Sequence, residues 1–294
     1  MSNKFGTLTR NRRQLQAGLL LLGALALVLA TASCASGPRP PEPGTPAFFW
    51  GSAQESYRAG DLTRTDEQLQ KVLSGDNEFT VRARAWDIVI SAGLAQGYAE
   101  TADAFEAGAR MNRANPTPFR KMVTTERSYA STAALQVAEE VHQFLAKDKD
   151  ANVTLAFGYP AGSMAQPGGL KKIASGMLVQ DSERDLLLTA MLQRGVAQAV
   201  CQALDSPDDS AQAADKLKTG QAQVPRTTFL WAAAKMLEQE SQIYTPNKLD
   251  LPNRFLLISQ QALEALKAIP ETKESKALEG KIQKAVDKLK KPGV

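Results

Sequence analysis

Apolar residues recur at intervals of three and four along almost the whole chain after Ala47, and this spacing is that of amphipathic helices rather than strands. Alanine is abundant, and aromatic residues make up only 6% of the chain, a composition that favours helix over sheet. The expected fold is therefore all-α, a stacked array of antiparallel helix pairs. Phe49, Ala53 and Tyr57, with Trp50 beside them, share one face of a first helix that ends at Gly60-Asp61. Asp66 to Leu73 follows as a second helix, Val81 to Ala95 as a third with a break near Gln96-Gly97, and Thr101 to Asn112 as a fourth before Asn115-Pro116. Arg120 to Ala146 is a long helix with Tyr129, Ala133, Val137, Val141 and Phe144 as its apolar stripe.

The N-terminus does not belong to this pattern. Lys4, Arg10, Arg12 and Arg13 precede an almost unbroken apolar run from Ala17 to Ala30, and small residues then lead to Cys34. That order is the layout of an export signal, and the run falls short of the ~20 residues that span a bilayer as a helix. The segment Thr31-Ala32-Ser33-Cys34-Ala35 resembles the lipobox of bacterial lipoproteins, although Thr31 stands where a branched aliphatic residue is usual. The resemblance implies that residues 1–33 are a signal peptide and that Cys34 becomes the acylated first residue, a lipid tether in the cell envelope. Ala35 after the cysteine is not the Asp that retains many such proteins at the inner membrane, which implies the outer membrane, facing the periplasm. Ala30-Thr31-Ala32 is also a site for ordinary signal peptidase, and cleavage there would release a soluble protein. That form would permit a Cys34–Cys201 disulfide.

Charge follows from the same division. The chain carries 35 Lys/Arg and 31 Asp/Glu, and residues 1–33 hold four of the basic residues and none of the acidic ones. The mature chain is thus electrically balanced, which argues against nucleic acid as a partner. Residues 34–46 join the anchor cysteine to a proline-rich linker with Pro38, Pro40, Pro41, Pro43 and Pro46, expected to be extended. Residues 47–147 read as one helical half, 148–169 as a Gly/Pro-rich connecting loop with a strand-capable run Val153–Phe157, and 170–294 as a second helical half. The loop at 158–169 is either a lid or a connector. In the second half, Ser182 is the expected N-cap of the helix carrying Leu188, Leu192, Val196 and Ala199; a short helix runs from Asp209 to about Leu217, further helices start at Arg226 and Asn253, and a last one follows the turn Pro270 to Thr272 and runs to Lys290.

Trp50 and Trp86, Leu62 and Tyr98, Thr65 and Thr101, and Leu69 and Phe105 are all 36 residues apart. Residues 47–116 therefore resemble a pair of degenerate tetratricopeptide repeats, whose period is about 34 residues. The whole layout is similar to that of the helical-repeat lipoprotein of outer-membrane barrel assembly and of the lipoprotein T-component of TRAP-type transporters. The resemblance implies a non-catalytic, lipid-anchored envelope protein that binds another protein or a peptide along its array, with Trp50, Tyr57, Trp86 and Tyr98 as partner-facing residues. For Trp50, Trp86 and Trp231 core packing is the simpler reading. The alternative function is a transport accessory that encloses a small ligand between its helical halves.

No residues form a catalytic signature, and neither cofactor nor metal is expected. His142 is the sole histidine, which excludes His-x-x-x-His metal sites. Cys201 sits among apolar residues and reads as a structural thiol. Glu139-Glu140 and Asp208-Asp209 are adjacent pairs, which on a helix do not face each other as glycosidase carboxylates must. Gly158–Gly162 and Gly168–Lys172 lack the spacing of phosphate loops, and the C-terminal lysines 281, 284, 288, 290 and 291 read as a solvated helix face. An enzyme acting through isolated carboxylates remains a third reading, and it needs two of them facing across a cleft.

Overall fold

Thr45 caps the first helix of the described residues: its Oγ1 accepts a hydrogen bond from the Phe48 amide at 3.3 Å, and Pro46 occupies the first helical position. The computed structural model describes residues 40–290; the leader, Cys34 and the beginning of the linker lie outside them. Helix α1 (Pro46–Arg58) buries Trp50, Ala53 and Tyr57. Gly60, at φ +76°, turns the chain, and Asp61 caps α2 (Leu62–Leu73) by accepting from the Arg64 amide at 3.1 Å.

Helix α3 (Thr80–Met111) is the centre of the molecule. The break expected near Gln96-Gly97 does not form, and 32 residues run as one helix about 48 Å long. Every residue from Ala83 to Ala95 is buried, the polar Arg84, Asp87 and Ser91 among them, because neighbours pack on all sides of this stretch. α3 packs against α2 and four later helices, α4 (Thr117–Lys147), α5 (Gly168–Ala174), α6 (Asp181–Ala203) and α8 (Arg226–Ser241). Its glycines are contact points. A Cβ on Gly93 would stand 2.3 Å from the Val196 Cα, and one on Gly97 would stand 2.8 Å from the Met191 carbonyl oxygen. The glycine that suggests a turn is thus where α6 crosses closely.

Near the start of α3, Arg84 pairs with Glu140 and Asp148 at the end of α4, so the two helices run antiparallel. Two short strands then interrupt the helical pattern. β1 (Asn152–Leu155) pairs antiparallel with β2 (Ala222–Pro225), placing Val153 opposite Val224. The first lies in the strand-capable run; nothing in its sequence marks the second, which Pro225 closes. Helix α7 (Ser210–Lys216) precedes β2, and α8 ends in a 3₁₀ turn (Gln242–Tyr244) before α9 (Pro252–Lys267) and α10 (Lys273–Lys290). The N-cap position of α6 is held by Gln180 rather than Ser182, and no side chain caps it.

Among the described residues ten helices pack against one another, and the fold is mostly helical at 71%. The described residues from Pro43 onward form one compact unit. One large buried cluster draws on both sides of the Gly/Pro-rich segment, from Trp86 and Val141 to Val196, Leu237 and Ile258. A smaller one gathers Phe105, Phe119, Ile173, Leu187 and Met191 around Gly108.

Candidate functional site

The aromatic residues expected to face a partner are core residues. Trp50, Tyr57 and Trp86 are 7%, 3% and 0% exposed and close around Phe157, whose ring stacks on Trp86 at 4.5 Å between centroids. Phe157 comes from the Gly/Pro-rich segment, so the burial that seats it withdraws the other three rings from the surface. Tyr98 is also buried, against the half-exposed Tyr129 at 5.2 Å. The segment above Phe157 is fastened at several points. The Tyr57 hydroxyl donates to the Gly158 carbonyl at 3.1 Å, and Arg194 Nε donates to the Met164 carbonyl at 2.9 Å. The Tyr159 hydroxyl lies 3.6 Å from Cys201 Sγ, and Cys201 is fully buried.

The other residues singled out by type are dispersed. His142 is half-exposed, 3.9 Å from Glu264. Glu139 faces solvent, whereas Glu140 is drawn inside by Arg84. Asp209 caps α7 through the Gln212 amide at 2.8 Å. Among the described residues no group of three or more His, Cys, Asp or Glu side chains is placed to hold a metal ion, and no helix is long and apolar enough to cross a membrane.

Buried carboxyls are nevertheless numerous. Asp66 and Asp87 share the Gln136 side-chain amide, at 2.7 Å and 3.1 Å, with Ser91 donating to Asp66 and Gln70 to Asp87. Burial pushes Asp87 well above the usual carboxylate range, and the neighbouring Asp66 and Glu140 push the same way. This network is satisfied by its own donors, so its role is structural.

Two buried carboxyls have oxygens without a donor, Glu126 at Oε2 and Glu240 at both. Glu240, near the end of α8, is 4% exposed, and neither Oε1 nor Oε2 has a hydrogen-bond partner. It lines a cleft of about 290 Å³ between α3, α6, α8 and the loop at Lys248. Gln96, Glu100 and Asp103 come from one face of α3 at helical spacing, Gln202 from α6, and Gln239 from α8. The other charged groups there are already paired: Asp103 with Lys248 at 2.7 Å, and Glu100 with Arg194. Gln96 donates its side-chain amide to Gln198 at 2.8 Å and to Glu100 at 3.1 Å. Burial alone raises the Glu240 carboxyl well above its ordinary range. An unsatisfied buried carboxyl costs about 1–3 kcal/mol.

A larger hollow of about 860 Å³ lies between the end of α3 and the start of α4, lined by Arg110, Arg113 and Arg120. These arginines are exposed, and Arg110 is taken by Glu106. Nothing buried there awaits a partner, which makes the smaller cleft the stronger site. Sequence reasoning passed over Glu240 because Leu237-Glu238-Gln239-Glu240-Ser241 resembles a solvated helix end. The usable signal was its register, since Phe229, Ala233 and Met236 lead by helical spacing to position 240.

Comparison with known proteins adds no family: no family model matches the chain, and neither the curated proteins nor the solved structures yield a match.

Proposed function

We propose that this chain is a non-catalytic, lipid-anchored protein of the bacterial cell envelope that binds a small ligand in the cleft between α3, α6 and α8. The observation that carries the ligand reading is the cleft itself, about 290 Å³ bounded by elements of both helical halves and lined by Gln96, Gln202, Gln239 and Glu240. Tethering rests on the lipobox-like Thr31-Ala32-Ser33-Cys34, and the implied place is the outer membrane, facing the periplasm. The role that follows is a transport accessory or a binding partner of envelope machinery. Binding of a protein or peptide along a tetratricopeptide-like array is the second reading. The α1–α2 hairpin favours it, with its Ser56 and Thr65 hydroxyls 3.0 Å apart at the inter-helix contact. It has less to work with, since the second repeat-like unit is a single helix and Trp50, Tyr57, Trp86 and Tyr98 are buried.

Two measurements test the proposal. Intact mass of the membrane fraction should show a diacylglycerol-sized addition in the wild type that is lost in Cys34→Ala; an unmodified chain starting at Ser33 would overturn the anchor. For the cleft, the full chain in detergent is screened by thermal melting against small cations, anions and neutral polar compounds. At 100 times Kd a ligand adds about 2.7 kcal/mol, a Tm shift of roughly 5–10 °C for a protein of this size. Gln202→Trp, which fills the cleft, should abolish the shift. If no compound of any class moves the wild-type Tm, the ligand reading fails.

A further inference from the structure

Beyond the lipid anchor and the cleft, and depending on neither, we infer that the end of the molecule where α3 meets the turn after α5 is a contact surface for an anionic phospholipid bilayer.

Three large apolar side chains stand in solvent there. Met111, the last residue of α3, is 67% exposed, and Met177 and Leu178, between α5 and α6, are 53% and 52% exposed. The two segments are pinned to each other. The Asn112 side-chain amide donates to the Gly176 carbonyl at 3.0 Å, and a Cβ on Gly176 would stand 3.1 Å from the Met111 Cβ. The neighbouring core around Phe119 and Ile173 is completed by Ala109 and Val179, so none of the three exposed side chains is needed to close it. Apolar side chains gathered on the surface in this way mark an interaction site.

The charges around them leave an excess of one sign. Glu106 is paired with Arg110 and Arg127, Glu183 with Lys172, and Asp181 and Asp185 with Arg184. Arg113, Arg120, Lys121 and Lys171 are exposed, and among the described residues none of the four is in an ion pair. They adjoin the apolar side chains: the Arg113 amide donates to the Met111 carbonyl at 3.2 Å, and the Met177 amide to the carbonyl of Lys172, next to Lys171, at 3.1 Å. Arg120 and Arg113 line one open hollow of about 860 Å³. A bilayer fits both features. Its headgroup phosphates attract long, flexible cations, and its apolar layer receives protruding side chains without a matching shape. A soluble anion would use the cations and leave Met111, Met177 and Leu178 in water. A protein partner would need a hollow shaped for a helix end and a turn.

The test uses the chain from Ser33 onward, which holds the whole compact unit, with Cys34→Ala so that no acyl chain contributes. Co-sedimentation compares vesicles of equal parts phosphatidylglycerol and phosphatidylcholine with vesicles of phosphatidylcholine alone. Binding should be tighter to the anionic vesicles by about tenfold or more and should weaken as salt rises. Each cation near an anionic membrane strengthens binding about fivefold, so Arg113→Gln with Lys171→Gln should weaken it about 25-fold. Met177→Asn with Leu178→Asn should weaken it by about fivefold or more, because two apolar side chains leave the contact. Thermal melting shows whether both double variants are folded. A polarity-sensitive dye on Met177→Cys should shift to the blue on anionic vesicles, and one on Gly75→Cys, exposed before the other end of α3, should not; Cys201 is buried and does not compete for the label. Equal binding to both vesicles, no shift of the dye at 177, or unchanged binding by either folded double variant would each overturn the inference. Self-association in solution that Met177→Asn with Leu178→Asn abolishes would make the surface a contact between copies. Soluble glycerophosphate bound as tightly as the vesicles would make the hollow a small-anion site. Either result would overturn the bilayer assignment.

Discussion

Gly195 on α6 lies so near Gly93 on α3 that a Cβ added at Gly195 would stand 2.1 Å from the Gly93 carbonyl oxygen. The two helices meet here backbone to backbone, with no side chain between them. The cleft that holds Glu240 opens beside this crossing, since Ala92, Gln96 and Ala199 from the same two helices line it.

Gly195→Ala should therefore be destabilising by about 1–3 kcal/mol or more, because the obstructing atoms are backbone and cannot rotate away. Gly280→Ala is the contrast. It lies within α10, an added Cβ there meets nothing within 4 Å, and about 0.5–1 kcal/mol of stabilisation is expected. Urea unfolding of the two variants beside the wild type measures both signs.

Arg84 holds two carboxylates in the core, Glu140 at 2.9 Å and Asp148 at 3.3 Å, and is itself 4% exposed. Arg84→Met strands both carboxyls and should cost roughly 3–5 kcal/mol in the same assay. Adding Glu140→Leu and Asp148→Leu to that variant should restore most of the loss; a triple variant no more stable than the single one would refute this account.

Stability should fall as pH rises through the mildly acidic range. Burial lifts the carboxyls of Asp66, Asp87, Glu126, Glu140, Asp148 and Glu240 in the folded chain, and Glu126 is pushed up to about 7 despite Arg184 nearby. Each holds its proton more tightly folded than unfolded. The advantage is complete below the unfolded value, about 4.5 for Glu126, and is lost as pH passes the folded one. The urea midpoint is expected to be higher at pH 5 than at pH 8, and Glu126→Gln should flatten the decline between about 4.5 and 7.

Without ligand, Glu240→Met should raise stability by about 1–3 kcal/mol at pH 7, because it removes two unpartnered buried oxygens and keeps the volume. Lower stability would mean that Glu240 is satisfied by a bound water.

Cys201 should be inert in the folded protein. Burial raises its thiol above the ordinary range, and Tyr159 and Met164 cover the sulfur at 3.6 Å and 3.4 Å. A thiol reagent should label it only in denaturant, and Tyr159→Ala should open it to labelling in the native state.

Helical class, most helix positions and the Gly60-Asp61 turn were legible in the chain, because they follow from local spacing and capping: Trp50, Ala53 and Tyr57 fall on one face, and Asp61 caps the next helix. The export-signal layout and the cysteine at its end are likewise properties of sequence alone. What only the tertiary structure decided has one physical cause, that an element's surroundings are set by residues far away in the chain. Gly97 reads as a break until α6 is laid across it, and Trp86 reads as a partner-facing ring until Phe157 covers it. The pairing of Val153 with Val224 joins strands too short to announce each other. Glu240 reads as a solvated glutamate until α3 and α6 close over it and leave its two oxygens without a donor.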